Sequence, residues 1–183
     1  MKKALIGIGA VVLIIVMIFM YYKSLYDTAV RLDEAVQTAW GNVGADYQRR
    51  ADLIPGLIET VKGAAANEKE ILTAVTNARA GIVGAKTPEE MDIAGKKINA
   101  AINLAFEAYP QIRSTQNFSE FQAQLEGTEN RINVSRKNYN EAVKAYNSHV
   151  RSLIPSMLIG GKFPPKEMFK EAEGADVAPS VKF

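Results

Sequence analysis

The chain has 183 residues, 48% of them hydrophobic, with 22 basic and 20 acidic side chains, one His and no Cys. This apolar content excludes a wholly disordered chain, and a formal net charge of +2 lacks the broad basic footprint of a nucleic-acid binder. The absence of Cys excludes disulfides, zinc fingers and Cys-held iron–sulfur clusters.

The first element is an apolar helix. From Ala4 to Tyr22 no residue is charged, and at a rise of about 1.5 Å per residue the stretch reaches roughly 28 Å, close to the hydrocarbon thickness of a bilayer. Tyr21, Tyr22 and Lys23 follow it as an aromatic pair with a snorkelling Lys, the pattern of an interfacial end. A cleaved signal peptide is the competing reading. The residues around Tyr21 and Tyr22 offer no small-x-small cleavage site, so an uncleaved signal-anchor spanning Ala4 to Tyr22 is expected, with the lipid bilayer as its partner. Lys2 and Lys3 favour an inner N-terminus and place the soluble part on the outer face of the cell (cytoplasmic or inner) membrane.

Apolar residues then recur at three- and four-residue steps through Leu25, Ala29, Leu32, Val36, Val43 and Tyr47 and on to Val75 and Ala78, an amphipathic helical pattern with no strand-like alternation. Pro55-Gly56 interrupts it. Either the helix kinks there, or it ends near Arg50 and restarts at Asp52. Thr87-Pro88-Glu89-Glu90 combines a Thr cap, Pro at the first helical position and a Glu closing a capping box. A third helix runs to Tyr109, and Asn117 with Glu120 signals the cap of a fourth. That fourth helix carries the longest stripe, including Phe118, Phe121, Leu125, Thr128, Ile132, Ser135, Tyr139, Ala142, Tyr146, Val150 and Leu153, and stops before Pro155. The expected organisation is an anchor over 1–23, a bundle over 24–155 with helices at about 24–50, 52–84, 88–109 and 117–154, and an irregular, mobile tail over 156–183. The expected fold is all-α: a transmembrane helix followed by an elongated antiparallel four-helix bundle.

Little of the sequence points to chemistry. The Gly81–Thr87 stretch lacks the Gly-Lys spacing and the preceding strand of a phosphate loop and reads as a helix–helix turn. A di-metal bundle site needs two Glu-x-x-His pairs, but the single His149 is preceded three residues earlier by Tyr146; it reads as solvated or locally hydrogen-bonded. No catalytic, metal or cofactor set is assigned. The polar groups beside the stripe stand out instead. Tyr139-Asn140 and Tyr146-Asn147 recur seven residues apart, Glu129, Asn130 and Arg131 lie earlier on the same helix, and Trp40, Asn42, Arg49 and Arg50 are their counterparts on the first. They either fix register between helices or line a polar groove for a peptide, a lipid headgroup or another subunit.

Two long blocks, Ala39 to Gly63 and Ala108 to Asn147, together with the Leu153–Phe169 stretch, closely resemble the LemA family. The resemblance covers nearly the whole chain and implies a single-span membrane protein with an antiparallel helical bundle and no established enzymatic activity. It also implies an outer N-terminus, opposite to the reading from Lys2 and Lys3. One branch of that family is associated with magnetosome membranes, and its genes often neighbour membrane metalloproteases. Gly44-Ala45 and Gly56 depart from common family residues, and no catalytic residue is carried over.

The function expected is a non-enzymatic, membrane-anchored scaffold that forms homo-oligomers and organises or shapes a membrane. Tethering to a shared surface raises effective concentration and favours weak lateral contacts. The alternative is an adaptor that presents clients to a membrane protease in an envelope quality-control system. Leu125 and Ile132 are both expected in the core.

Overall fold

The computed structural model describes the backbone of residues 2–60, 68–108 and 116–170, and the side chains of 6–56, 73–107 and 119–170. Five helices occur among them: α1 (Lys2–Thr60), α2 (Glu68–Gly84), α3 (Pro88–Ala108), α4 (Gln116–Val150) and α5 (Leu153–Ile159). No strand occurs among the described residues, so the chain is all-α there, as its periodicity predicts.

The boundaries differ from expectation in three places. Of the two readings at Pro55, the one in which the helix continues holds: α1 runs without a break from the apolar stretch through Pro55 to Thr60, so the 24–50 and 52–84 bounds do not stand. Proline removes one backbone donor and crowds the preceding turn, but Ala51 and Ile54 are fully buried just ahead of it, and that packing holds the turn. The fourth helix stops at Val150, and Pro155 lies within α5 instead of following a helix end. Leu153, expected on the α4 stripe, is therefore exposed. The tail is not irregular throughout: 156–159 is helical and 164–170 is held by hydrogen bonds to α4, while 171–183 lies outside the described residues. Asn117 sits inside α4 and its side chain, like that of Phe118, is outside the described residues.

The predicted capping box is present. Thr87 Oγ1 accepts from the Glu90 amide at 3.2 Å, and Glu90 Oε2 accepts from the amides of Lys86 at 2.7 Å and Thr87 at 3.3 Å. These bonds satisfy donors that a helix start leaves without intrahelical partners.

The chain divides into two compact units. The first comprises residues 1–39 and 141–166. Its core is Ala29, Val36, Val143, Tyr146, Val150, Pro155 and Ile159. Within it α4 runs antiparallel to α1, since His149 meets Leu25 and Lys166, which is bound to Asn147, meets Asp33.

The second unit comprises residues 40–140 and 167–183. Here α1 and α4 again run antiparallel: Trp40 packs on Tyr139 and Arg50 pairs with Glu129. Asp92–Arg136 and Phe106–Phe121 fix α3 antiparallel to α4. Small residues let helices approach closely. A Cβ on Gly95 of α3 would lie 2.5 Å from the Tyr47 ring of α1, so only glycine leaves room for that aromatic. On α4, the buried hydroxyls of Thr128 and Ser135 donate to the carbonyls of Leu125 and Ile132 at 2.8 and 3.0 Å. This satisfies polar atoms that burial would otherwise leave costly.

Candidate functional site

The two Tyr-Asn pairs of α4 each grip the chain that follows α5. In the first unit, the Tyr146 hydroxyl donates to the Pro164 carbonyl at 3.0 Å. Asn147 donates to the Lys166 carbonyl at 2.8 Å and accepts from the Lys166 amide at 2.9 Å. In the second unit, the Tyr139 hydroxyl donates to the Glu167 carbonyl at 3.1 Å. Asn140 donates to the Phe169 carbonyl at 3.0 Å and accepts from the Phe169 amide at 2.8 Å. Each Asn thus acts as a neighbouring strand would, using both faces of its amide.

Aromatic side chains complete both clamps. Phe163 meets Tyr26 edge-on at 5.2 Å, and Lys162 and Lys166 lie over the rings of Tyr26 and Tyr146 at 5.5 and 5.3 Å. Lys166 also pairs with Asp33 at 2.7 Å. In the second unit Phe169 stacks on Trp40 at 5.9 Å, meets Tyr139 edge-on at 5.3 Å and lies under the Arg136 guanidinium at 4.7 Å. Burial pushes the Tyr139 and Tyr146 phenols above their ordinary range, reinforced by Glu167 and Asp33 respectively. Both remain protonated donors, as their bonds require.

A second polar cluster links α1 to α2 and α4, and α3 to α4, in that unit. Arg50 donates to Glu129 Oε2 at 2.5 Å and to the Leu125 carbonyl at 3.4 Å, while its Nε is buried without a partner among the described residues. Asp92 pairs with Arg136 at 3.0 Å, and Asp52 pairs with Arg79. Burial raises the Tyr47 phenol, against the opposing pull of Arg136. Arg50 and Arg136 line a cleft of about 470 Å³ with Tyr47, Asp92 and Glu129. Arg50, Glu129, Asp92 and Arg136 are thus paired across helices, and Lys96 and Lys170 also line the cleft.

An open groove of about 520 Å³ runs between α1 and α4 in the same unit, lined by Asn42, Ala45, Asp46, Asn130, Arg131, Val134, Ser135 and Asn138. Asn42, Asn130 and Asn138 are exposed, and none has a hydrogen-bond partner among the described residues.

The polar residues expected to share one face therefore separate. Tyr139, Asn140 and Trp40 join one clamp, Tyr146 and Asn147 the other, Arg50 and Glu129 an ion pair, and Asn42, Asn130 and Arg131 the groove. Arg49 is exposed and joins none of them. His149 is not locally bonded: its Nε2 lies 3.0 Å from the Leu25 carbonyl of α1, and since a carbonyl only accepts, Nε2 carries the proton. Phe163, Lys166 and Phe169 were not singled out in the sequence. Their three-residue spacing around Pro164-Pro165, set against the Tyr-Asn repeat, is the signal that identifies them.

The anchor residues lie on α1, whose first part is long and apolar enough to cross a membrane and has none of its apolar window buried. Ile6 to Tyr21 are exposed, Tyr22 is half-buried beside Tyr26 at 6.4 Å, and Lys23 pairs with Asp27 at 3.4 Å. The side chain of Ala4 lies outside the described residues. Among the described residues no three His, Asp or Glu side chains gather as metal ligands.

Together these features define a helical protein with, among the described residues, one N-terminal helix apolar and long enough to span a bilayer, and with helix-borne clamps. The chain belongs to the LemA family, whose model matches residues 39–183. It is similar to Protein LemA of Metamycoplasma hominis, with 23% identity over 143 residues covering 76% of this chain. The match spans 65% of that relative, just under two thirds of its length.

Proposed function

We propose that the chain is a non-enzymatic, membrane-tethered scaffold whose copies associate side by side and thereby organise or shape a patch of membrane. On this reading residues 4–22 cross the cell membrane once. The soluble part lies on the outer face, as Lys2 and Lys3 favour, and its helices form an antiparallel four-helix bundle.

The observation that carries the self-association is the open groove between α1 and α4. Asp46 stands on one wall and Arg131 on the other, and neither has an ion-pair partner among the described residues. A surface bearing both signs is self-complementary about a twofold axis, with Asp46 of each copy meeting Arg131 of the other. The exposed Val134 and the unpartnered amides of Asn42, Asn130 and Asn138 supply the remaining contacts. Copies anchored in one bilayer share a surface, so a weak contact of this kind populates assemblies.

The chain has no Cys, so a single Val134→Cys substitution gives a unique crosslinking site. Treatment of native membranes with a short bis-maleimide is expected to yield a species of twice the chain mass, and Asp46→Arg is expected to suppress it. Capture of one membrane protease in place of a second copy supports the adaptor function instead.

A further inference from the structure

We infer that α5 is a second membrane-contacting element, lying in the headgroup layer beside the point where α1 leaves the bilayer. The inference rests on the reading that α1 crosses the membrane. All of the residues concerned belong to the first unit.

Helix α5 reads Leu-Ile-Pro-Ser-Met-Leu-Ile and contains no charged residue. Pro155 and Ile159, four apart, form its buried face. Leu153 and Met157 are 77% and 79% exposed, and Ile154 and Leu158 are 46% and 49% exposed. These four form two i, i+4 pairs on the opposite face, a contiguous apolar surface of the kind that marks a binding site.

The placement of α5 identifies what covers that surface. The chain enters α5 just after His149, which bonds to the Leu25 carbonyl, and returns through Phe163 against the Tyr26 ring. Because α4 runs antiparallel to α1 in this unit, the chain leaving His149 is heading toward the apolar end of α1. Leu25 lies three residues beyond Tyr22, an axial distance of about 4.5 Å. The interfacial layer on each side of the hydrocarbon is roughly 5–7 Å thick. Both attachment points of α5 therefore fall at headgroup depth.

Charge supports the same occupant. Arg151 precedes α5 and is exposed, and Lys162 follows it, lying over Tyr26. Two cations bracketing an apolar face are the arrangement by which an interfacial helix inserts side chains among acyl chains while its ends meet anionic phosphates. A two-point attachment, span and surface helix, restricts how the first unit tilts on the membrane.

The test uses the full chain reconstituted into phosphatidylcholine–phosphatidylglycerol vesicles, with single-cysteine variants carrying an environment-sensitive fluorophore. Met157→Cys reports on α5, Phe19→Cys on the span and Ala35→Cys on an exposed position farther along α1. At Met157 the expected result is a blue-shifted emission that is quenched more by lipid spin-labelled near the headgroup than by lipid labelled near the chain end. Phe19, about 4.5 Å inside Tyr22 and so near the edge of the hydrocarbon, is quenched by both labels, and Ala35 by neither. Quenching at Phe19 with none at Met157 overturns the inference and leaves the anchor intact. Absence of quenching at Phe19 overturns the anchor and the inference together. A blue shift at Met157 that lipid quenchers leave untouched, with crosslinking between Met157→Cys copies, means that α5 meets a second copy, and also overturns it.

Discussion

Replacing Asn140 by Ala is expected to release the segment around Phe169 and to do so measurably. The substitution removes two hydrogen bonds, of 3.0 and 2.8 Å, to the carbonyl and amide of Phe169. At roughly 0.5–1.5 kcal/mol net for each bond, the loss is about 1–3 kcal/mol. The clamp is half-buried, so water can rehydrate the freed backbone groups, which favours the lower half of that range. Phe169 keeps its contacts with Trp40, Tyr139 and Arg136, so the segment loosens first and the helices need not separate. The chain's single Trp is an internal reporter, because Trp40 stacks on Phe169 at 5.9 Å. In a urea titration of the full chain in mild detergent, Trp emission is expected to shift red at lower urea than the loss of helical circular dichroism. Asn138→Ala, at an exposed amide without a partner among the described residues, is the matched control and should change stability by less than about 0.5 kcal/mol. If Asn140→Ala behaves like Asn138→Ala in both signals, the clamp does not hold the segment and the reasoning fails.

Other outcomes follow from the packing. Ile132→Ala, at a side chain 2% exposed, is expected to cost about 2–5 kcal/mol, and Leu125→Ala, which is half-buried, distinctly less; equal losses in thermal unfolding contradict the assigned α4 face. Gly95→Ala forces a methyl against the buried Tyr47 ring and is expected to destabilise by about 1–3 kcal/mol. Gly127→Ala, where a Cβ meets nothing within 4 Å, should stabilise by about 0.5–1 kcal/mol; a reversed order in melting temperature is the contrary result. The phenols of Tyr47, Tyr139 and Tyr146 are all raised by burial. Folded chains therefore keep protons that unfolded ones lose, and stability should be undiminished by these groups below pH about 10 and fall as pH rises past it until the folded phenols ionise. Phenolate absorbance appearing fully at the ordinary tyrosine range, before any loss of structure, contradicts this.

The helical periodicity and the capping box at Thr87 were legible in the sequence because both are local: one depends on three- and four-residue spacing and the other on four consecutive residues. The continuity of α1 through Pro55 was not, because whether a proline ends a helix depends on the tertiary burial of Ala51 and Ile54. Leu153 illustrates the same limit, since its spacing continues the α4 stripe while the chain turns at Arg151. For the polar face, the seven-residue repeat of Tyr-Asn marked the right residues without showing what they hold. Their partners lie 18 to 29 residues further along, in a stretch whose Gly and Pro content reads as loose. Asn130 and Asn140 are alike in type and differ only in what faces them.

The proposed scaffold function requires copies of this chain to meet in the membrane through the α1–α4 groove. Single-molecule photobleaching of fluorophore-labelled full-length chains, reconstituted at low density in supported bilayers, counts copies per spot directly. Multi-step bleaching that collapses to single steps in Asp46→Arg, and returns when Asp46→Arg is combined with Arg131→Asp, is the predicted result. Single steps for the unaltered chain at every density would contradict it.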